Sequence, residues 1–288
     1  MRKSISVIIP VYNEENAIEQ TIEGLKNELN KLDLEYEMIV VNDASSDKTG
    51  EILKKFSNIK IVEHPENRGY GASLKSGFKE SRGELILITD ADGTYPGEAV
   101  SELIKYAPSY DMVVGARKGK DAKIPLIRKP AKWLLGQLAN YLSGIKIPDL
   151  NSGLRIIKKP LIEKFIYILP DGFSFTTTIT LASLTNGYGI KYIPIAYSKR
   201  AGKSKFRPFR DTLNFFQLII RTILYFNPLK VFIPLSLILF LAAVVIFVWS
   251  YFLTPRVLDT TVAILIMASI QMLAIGMLAD LIVKKKTL

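Results

Sequence analysis

Hydrophobic positions before residue 200 follow two alternating spacings. Short runs of aliphatic and β-branched residues predict strands at 4–9, 37–41, 59–62, 85–89 and 112–114. Most of these runs are separated by segments with apolar residues at helical spacing, as in the stripe that begins at Ile18, Ile22 and Leu25. This alternation predicts an α/β fold with a mostly parallel sheet flanked by helices, and ligands at the carboxyl ends of the strands.

Two long runs without charge follow near the C-terminus, at 231–253 and 260–279. Each is long enough to cross a hydrocarbon core as a helix, which needs roughly 20 residues. Lys230 precedes the first run and three lysines follow the second, so the positive-inside rule predicts that both termini are cytosolic. We expect a multi-pass protein of the cytoplasmic membrane, with a cytosolic domain at 1–210 and a transmembrane hairpin at 230–288 that has spans at about 231–253 and 260–283.

The segment between these parts, 211–229, is amphipathic. Apolar side chains such as Leu213 and Phe216 recur on one side, and polar ones such as Asp211 on the other. This pattern predicts an interfacial helix that lies on the membrane surface. Residues 126–142 have a similar pattern, which fits either a second interfacial helix or a helix packed on the sheet.

The composition favours anionic partners and excludes several kinds of catalytic and metal-binding site. Thirty-eight basic and 27 acidic residues give a net charge of +11, which favours anionic partners such as nucleic acid, nucleotide phosphates or a lipid surface. The absence of cysteine excludes a disulfide scaffold, a thiolate zinc site and a cysteine nucleophile. The single histidine, His64, argues against imidazole metal clusters and Ser-His triads, and we expect it to be incidental.

Polar residues follow three of the predicted strands, at 10–14, 42–49 and 90–96. Any one of these segments alone is equally well explained as a turn or a helix cap. Asp90 and Asp92 are the most specific pair, because residues two apart in an extended segment point to the same side. Two converging carboxylates favour a bound cation, and their oxygen ligands suit Mg²⁺ or Mn²⁺ that takes further ligands from substrate phosphates.

These motifs, taken in order, resemble a known family. The segment 10–14, Asp43, the segment 67–71 and the Asp90 to Asp92 motif look like the family 2 inverting glycosyltransferases with the GT-A fold. The segments 149–155 and 200–205, with the C-terminal hairpin, resemble the dolichol-phosphate mannose and polyprenyl-phosphate glucose synthase branch. The likeness covers nearly the whole chain.

The resemblance implies a role for individual residues. Asp90 and Asp92 would hold the metal, and Thr94 stands where the family often has a glutamine. Those expected to bind the nucleotide are Pro10, Tyr12, Glu14, Asp43, Asn67, Asp90 and Arg117.

Basic residues at 117–132 and 199–210 predict an anionic acceptor, or else a basic face against the membrane. Those expected to bind an acceptor phosphate are Arg128, Arg200, Lys203, Ser204 and Lys205, and the expected catalytic residues are Asp149, Arg200 and Lys205. Asp149 resembles a proposed base in related enzymes; a turn or cap before the strand at 154–157 explains it equally well.

The sequence therefore predicts a metal-dependent, inverting transfer of a hexose from a UDP- or GDP-linked sugar to polyprenyl phosphate at the cytosolic membrane face. The expected partners are a nucleotide diphosphate sugar, polyprenyl phosphate and the membrane, and not nucleic acid. Self-association of the two-span anchor is left open. The alternatives are another lipid or glycan acceptor, a non-catalytic scaffold that binds nucleotide sugars, and a nucleotidyltransferase.

Overall fold

A computed structural model describes residues 4–118, 146–172, 174–197, 227–253 and 259–287, and single positions between these ranges. The chain divides into two compact units, one up to Phe215 and one from Phe216, and each is described by itself. Outside the described residues lie most of the two segments predicted to be amphipathic, 126–142 and 211–229.

The first unit is built on a sheet of seven strands in the order β3-β2-β1-β4-β6-β5-β7. The strands are β1 Ser4–Val11, β2 Glu35–Asn42, β3 Lys60–Glu63, β4 Leu85–Ile88, β5 Met112–Lys118, β6 Arg155–Lys158 and β7 Ile190–Ala196. Every neighbouring pair is parallel except those of β6, which runs antiparallel to β4 and β5. The five strands predicted before residue 115 are confirmed, and so is a mostly parallel sheet.

Six helices accompany this sheet in the described part of the first unit: α1 Ile18–Leu29, α2 Thr49–Leu53, α3 Tyr70–Lys79, α4 Glu98–Tyr106, α5 Lys159–Phe165 and α6 Phe175–Thr185. The apolar stripe predicted on α1 is buried, and it packs in a core with residues of β1, β2 and β4. Burial of this stripe is what orients α1 against the sheet, since its other face is charged.

The strand β7 was not among the predicted strands. It contains Pro194, and it forms the edge of the sheet beside β5. An edge strand tolerates a proline, because it has a neighbouring strand on one side only and therefore needs fewer backbone N–H donors. Its pairing with β5 extends to Arg117 and Lys118, so β5 is longer than the predicted run at 112–114.

The second unit contains two apolar helices, α7 Leu229–Leu253 and α8 Asp259–Thr287. Both are long and apolar enough to cross a membrane. The Ser236 and Ser269 hydroxyls lie 3.1 Å apart, and each also donates to the backbone carbonyl of the other residue. The two helices coincide with the two uncharged runs of the sequence, and these polar contacts join them.

Candidate active site

The loops after β1 and β2 form one continuous structure at the carboxyl edge of the sheet. The Asn13 amide donates to Ser45 Oγ at 3.0 Å, and the Glu14 amide donates to Thr49 Oγ1 at 3.0 Å. In return the Ser46 amide donates to Asn13 Oδ1 at 2.7 Å. These two polar segments therefore lie together at one edge of the sheet. Pro10 is a buried residue of β1, and Tyr12 and Glu14 are half-buried at its end.

Asp43 is buried, and its carboxylate is held by protein donors. The Arg68 amide donates to Oδ1 at 2.9 Å and the Gly69 amide to Oδ2 at 2.8 Å. Gly69 has a φ of +97°, a conformation that glycine adopts readily and that begins α3. Asn67 lies in the same loop, with its side-chain amide 3.5 Å from the Asp43 carbonyl. Asp43 thus fixes the loop that carries another residue predicted to bind nucleotide.

His64 also contributes to this loop. Its Nδ1 lies 2.6 Å from Asp43 Oδ1 and its Nε2 lies 2.9 Å from Ser76 Oγ. The side chains of His64 and Asp43 are almost wholly buried. The structure gives His64 a role that the expectation of an incidental loop residue missed, since it joins the end of β2 to α3. The available signal was a polar side chain directly after the β3 strand, at the same edge as Asp43.

Asp90 and Asp92 lie in the irregular segment after β4, which ends at Ile88. Strand alternation therefore does not place them, and a separate neighbour holds each carboxylate. Tyr70 Oη donates to Asp90 Oδ1 at 3.1 Å, whereas the Thr94 hydroxyl and amide donate to Asp92 Oδ1 at 2.6 and 3.2 Å. Thr94 thus orients the second aspartate.

Gly153 packs directly against the Asp90 carboxylate. A Cβ on Gly153 would lie 2.5 Å from Asp90 Cγ. The Gly153 amide donates to Tyr95 Oη at 2.7 Å, so the turn before β6 is tied to the segment after β4. Burial and the charge of Asp90 raise the pKa of Tyr70 and of Tyr95 far above the usual tyrosine value. Both phenols therefore stay protonated near neutral pH, and the Tyr70 phenol remains a hydrogen-bond donor to Asp90.

The described residues contain no cluster of three or more acidic, histidine or cysteine side chains around a common metal position. Asp90 and Asp92 nevertheless fit a hard divalent cation, because Mg²⁺ and Mn²⁺ are commonly bound through one or two carboxylates, waters and substrate phosphates. The close approach of Gly153 leaves no space for a larger side chain beside Asp90.

Arg117 and Asp149, predicted to bind phosphate and to act in catalysis, are bonded to each other. Arg117 Nε donates to Asp149 Oδ2 at 2.7 Å, and Nη2 donates to Oδ1 at 2.8 Å. The Arg117 and Asn151 amides add one contact each, at 3.2 Å. Burial alone would raise the pKa of Asp149, but hydrogen bonds and the charge of Arg117 outweigh it and keep that pKa below the usual aspartate value. The Asn151 contact is also the turn that the sequence offered as the alternative.

Aromatic rings cover the other side of Arg117. Its guanidinium lies 5.4 Å from the centre of the Tyr197 ring, a cation–π distance. Tyr197 in turn meets Tyr95 edge to face, with centroids 5.4 Å apart. Residues that follow β4 and β7 therefore converge on the end of β5.

Arg155 is a further residue that the sequence did not single out for a role. It is wholly buried, and its Nε donates to the Ser152 carbonyl at 3.1 Å. Its Nη1 donates to the Thr176 carbonyl at 3.1 Å and to Thr180 Oγ1 at 3.0 Å. Arg155 therefore anchors the turn before β6 to α6.

The structure does not describe the residues predicted to bind the acceptor phosphate. Arg128, Arg200, Lys203, Ser204 and Lys205 all lie outside the described residues.

Comparison with known proteins identifies both parts of the chain. Residues 6–166 match Glycosyl transferase family 2, and residues 227–284 match the GtrB C-terminal hairpin. The chain is 33% identical, over 57% of its length, to an undecaprenyl-phosphate 4-deoxy-4-formamido-L-arabinose transferase of Photorhabdus laumondii, of which the match covers 52%. It is 30% identical to a dolichyl-phosphate hexose transferase of Haloferax volcanii, over 71% of this chain and 87% of that protein. The chain spans about half the length of several curated relatives that it matches.

The fold also has solved counterparts. The crystal structure of a glucosyl-3-phosphoglycerate synthase from Mycobacterium tuberculosis in complex with Mn²⁺, UDP and phosphoglyceric acid has a TM-score of 0.60. It is 19% identical and covers 77% of this chain and 78% of that one, which confirms the GT-A-like fold and nothing finer. The resemblance to polyprenyl-phosphate sugar transferases is confirmed by the relatives. Because the first family match covers more than half of its residues, the chain belongs to Glycosyl transferase family 2.

Proposed function

We propose that this protein transfers a hexose from a nucleotide diphosphate sugar to a polyprenyl phosphate at the cytosolic face of a membrane. The observation that carries the proposal is the placement of Asp90 and Asp92 directly after β4, each oriented by its own hydrogen-bond donor. The sheet edge that holds them also holds the loops after β1 and β2. Membership of Glycosyl transferase family 2 supports glycosyl transfer as the reaction.

The donor would bind across the loops that Asn13, Asp43 and Asp90 organise. Tyr12, Glu14 and Asn67 supply polar groups there for a base and ribose. Asp90 and Asp92 would hold Mn²⁺ or Mg²⁺ on the diphosphate; Mn²⁺ accompanies UDP in the mycobacterial neighbour. When bound, such an ion stabilises the negative charge of the leaving nucleoside diphosphate.

Two findings support a lipid phosphate as the acceptor. Two curated relatives are named an undecaprenyl-phosphate 4-deoxy-4-formamido-L-arabinose transferase and a dolichyl-phosphate hexose transferase. The second unit contains two apolar helices that match the GtrB C-terminal hairpin, and their flanking lysines favour a cytosolic active domain. Arg128, Arg200, Lys203, Ser204 and Lys205 are the residues that we propose for the acceptor phosphate, on sequence grounds.

The chemistry requires orientation and charge more than proton transfer. A phosphate monoester has a second pKa of about 6, so the acceptor is largely a dianion at neutral pH and attacks without an added base. Attack on the anomeric carbon from the side opposite the leaving group inverts its configuration. Because the donor and the acceptor are both anionic, fixed cations such as Arg117 and the proposed Arg200 and Lys205 would lower the cost of their approach.

The decisive experiment is transfer of radiolabel from UDP- and GDP-sugars into polyprenyl phosphate by the full chain in detergent, with Mn²⁺ or Mg²⁺. Asp92→Asn should reduce transfer at least 100-fold, whereas Glu102→Gln, an equal loss of charge at a partly exposed site on α4, should leave it unchanged. Label in the lipid fraction that depends on Asp92 supports the proposal. Nucleotide binding without transfer to any lipid would contradict it and favour the scaffold.

A further inference from the structure

We infer that Asp149 is a positioning residue, which holds the Arg117 guanidinium toward the anionic substrates and does not accept a proton. The inference rests on the proposed function and assigns a role within that same site. It concerns the residue for which the sequence left two alternatives, a catalytic base or a turn.

The first argument is the occupancy of the carboxylate. Each carboxylate oxygen of Asp149 accepts two hydrogen bonds, and Arg117 supplies three of the four donors. The fourth comes from the Asn151 amide. The Nε and Nη2 contacts form a bidentate pair, which is among the strongest hydrogen-bonded arrangements of a guanidinium with a carboxylate. A general base instead needs a lone pair directed at the proton that it removes, whereas the four hydrogen bonds to Asp149 use the four lone-pair positions of its carboxylate.

The second argument is electrostatic. Only 12% of the Asp149 side chain is exposed, and Arg117 keeps the pKa of this carboxyl below its usual value despite the burial. A carboxylate with a lower pKa is a weaker base and removes a proton from the acceptor less readily. The acceptor phosphate has a pKa of about 6 and is therefore the more basic group at this site.

The third argument comes from the arginine. Asp149 holds one edge of the guanidinium and the Tyr197 ring lies against it, so the group is restrained from two directions. Burial would lower the pKa of Arg117, but the bond and the charge of Asp149 raise it, so the cation persists. Asp149 binds Nε and Nη2, and Nη1 is the donor that we assign to a phosphate oxygen. An arginine fixed in this way loses little side-chain entropy when it binds an anion.

A double-mutant cycle separates the two roles. Asp149→Asn, Arg117→Gln and the double variant are compared with the wild-type chain in detergent, by kcat/KM for sugar transfer and by calorimetric titration with UDP and with GDP in the presence of Mn²⁺. If Asp149 acts through Arg117, Asp149→Asn should raise the nucleotide Kd and lower kcat/KM by about tenfold in the wild-type background. In the Arg117→Gln background it should change either quantity less than twofold.

The opposite pattern overturns the inference. A base contributes about 10² to 10⁴ in rate, so its removal should lower kcat by that factor in both backgrounds and leave the nucleotide Kd unchanged. If Asp149→Asn does not fold, Arg117→Gln alone decides, because an unchanged Kd for both nucleotides together with an unchanged kcat/KM would exclude an anion-binding role for Arg117. If the wild-type chain transfers no sugar to lipid, the proposed function fails, yet the titrations still test the coupling of the two residues.

Discussion

Replacement of Gly153 by alanine tests whether the position of Asp90 controls activity. The added Cβ would lie 2.5 Å from Asp90 Cγ, and carbon atoms in contact are normally about 3.5 to 4.0 Å apart. Asp90 must therefore move by about 1 Å. Gly153 is not among the glycines with positive φ, so the effect comes from this contact and not from backbone strain.

The magnitude follows from what the methyl group displaces. The displaced group is the end of a short side chain and no backbone is involved, so the folding cost should be at the low end of overpacking, about 1 kcal/mol. The Tyr70 bond to Asp90, 3.1 Å long, is lost with the movement. A shift of about 1 Å in a group that positions substrate can cost on the order of 100-fold in rate. Activity should therefore fall far more than stability.

The assay is transfer of labelled sugar to polyprenyl phosphate, with stability followed by thermal unfolding of the same preparation. Gly24→Ala is the matched control, since a Cβ there meets nothing within 4 Å and the residue lies within α1. It should raise the free energy of unfolding by about 0.5 to 1 kcal/mol and leave transfer unchanged. If Gly153→Ala transfers sugar at the wild-type rate, the exact position of Asp90 is irrelevant to the reaction and our assignment of the site is wrong.

Three further substitutions test the packing around the site and the hairpin. His64→Leu removes the buried partner of Asp43 and should lower the free energy of unfolding by about 1 to 3 kcal/mol in denaturant titrations; no change would mean that this contact contributes nothing. Arg155→Met leaves several buried acceptors unpaired and should cost about 3 kcal/mol by the same measurement, whereas a gain in stability would show that desolvation of the charge dominates. In the hairpin, Ser236→Ala and Ser269→Ala should each cost about 0.6 kcal/mol in detergent and about twice that together, because each removes one bond to a backbone carbonyl; unchanged stability of both variants would refute these contacts.

The features that could be predicted from sequence are those that depend on neighbours along the chain. The α1 stripe is a local periodicity and the two C-terminal runs are local stretches without charge, and each forms a helix in the expected place. The polar residues after β1, β2 and β4 could be located because parallel strands bring their carboxyl ends to one edge.

Contacts between distant segments could not be predicted in the same way. The antiparallel insertion of β6 between β4 and β5 depends on the register of three strands, and it alone brings Gly153 against Asp90. Arg117 and Asp149 are 32 residues apart and belong to different predicted motifs, so nothing in either motif indicates that the two are paired. The burial of Arg155 depends likewise on α6, whose run of threonines has no distinct apolar face.

The four carboxylates of the candidate site are all held by hydrogen-bond donors of the protein, and this bears on the proposed mechanism. Asp43, Asp90, Asp92 and Asp149 are each held by donors from their own neighbourhood before any substrate binds. Four negative groups held in place around an anionic donor would oppose its binding unless cations accompany them. Asp149 already has its cation in Arg117, and Asp43 accepts from His64 and two amides. Under the proposed reaction, a divalent ion held by Asp90 and Asp92 would supply positive charge that offsets these carboxylates and the diphosphate of the donor.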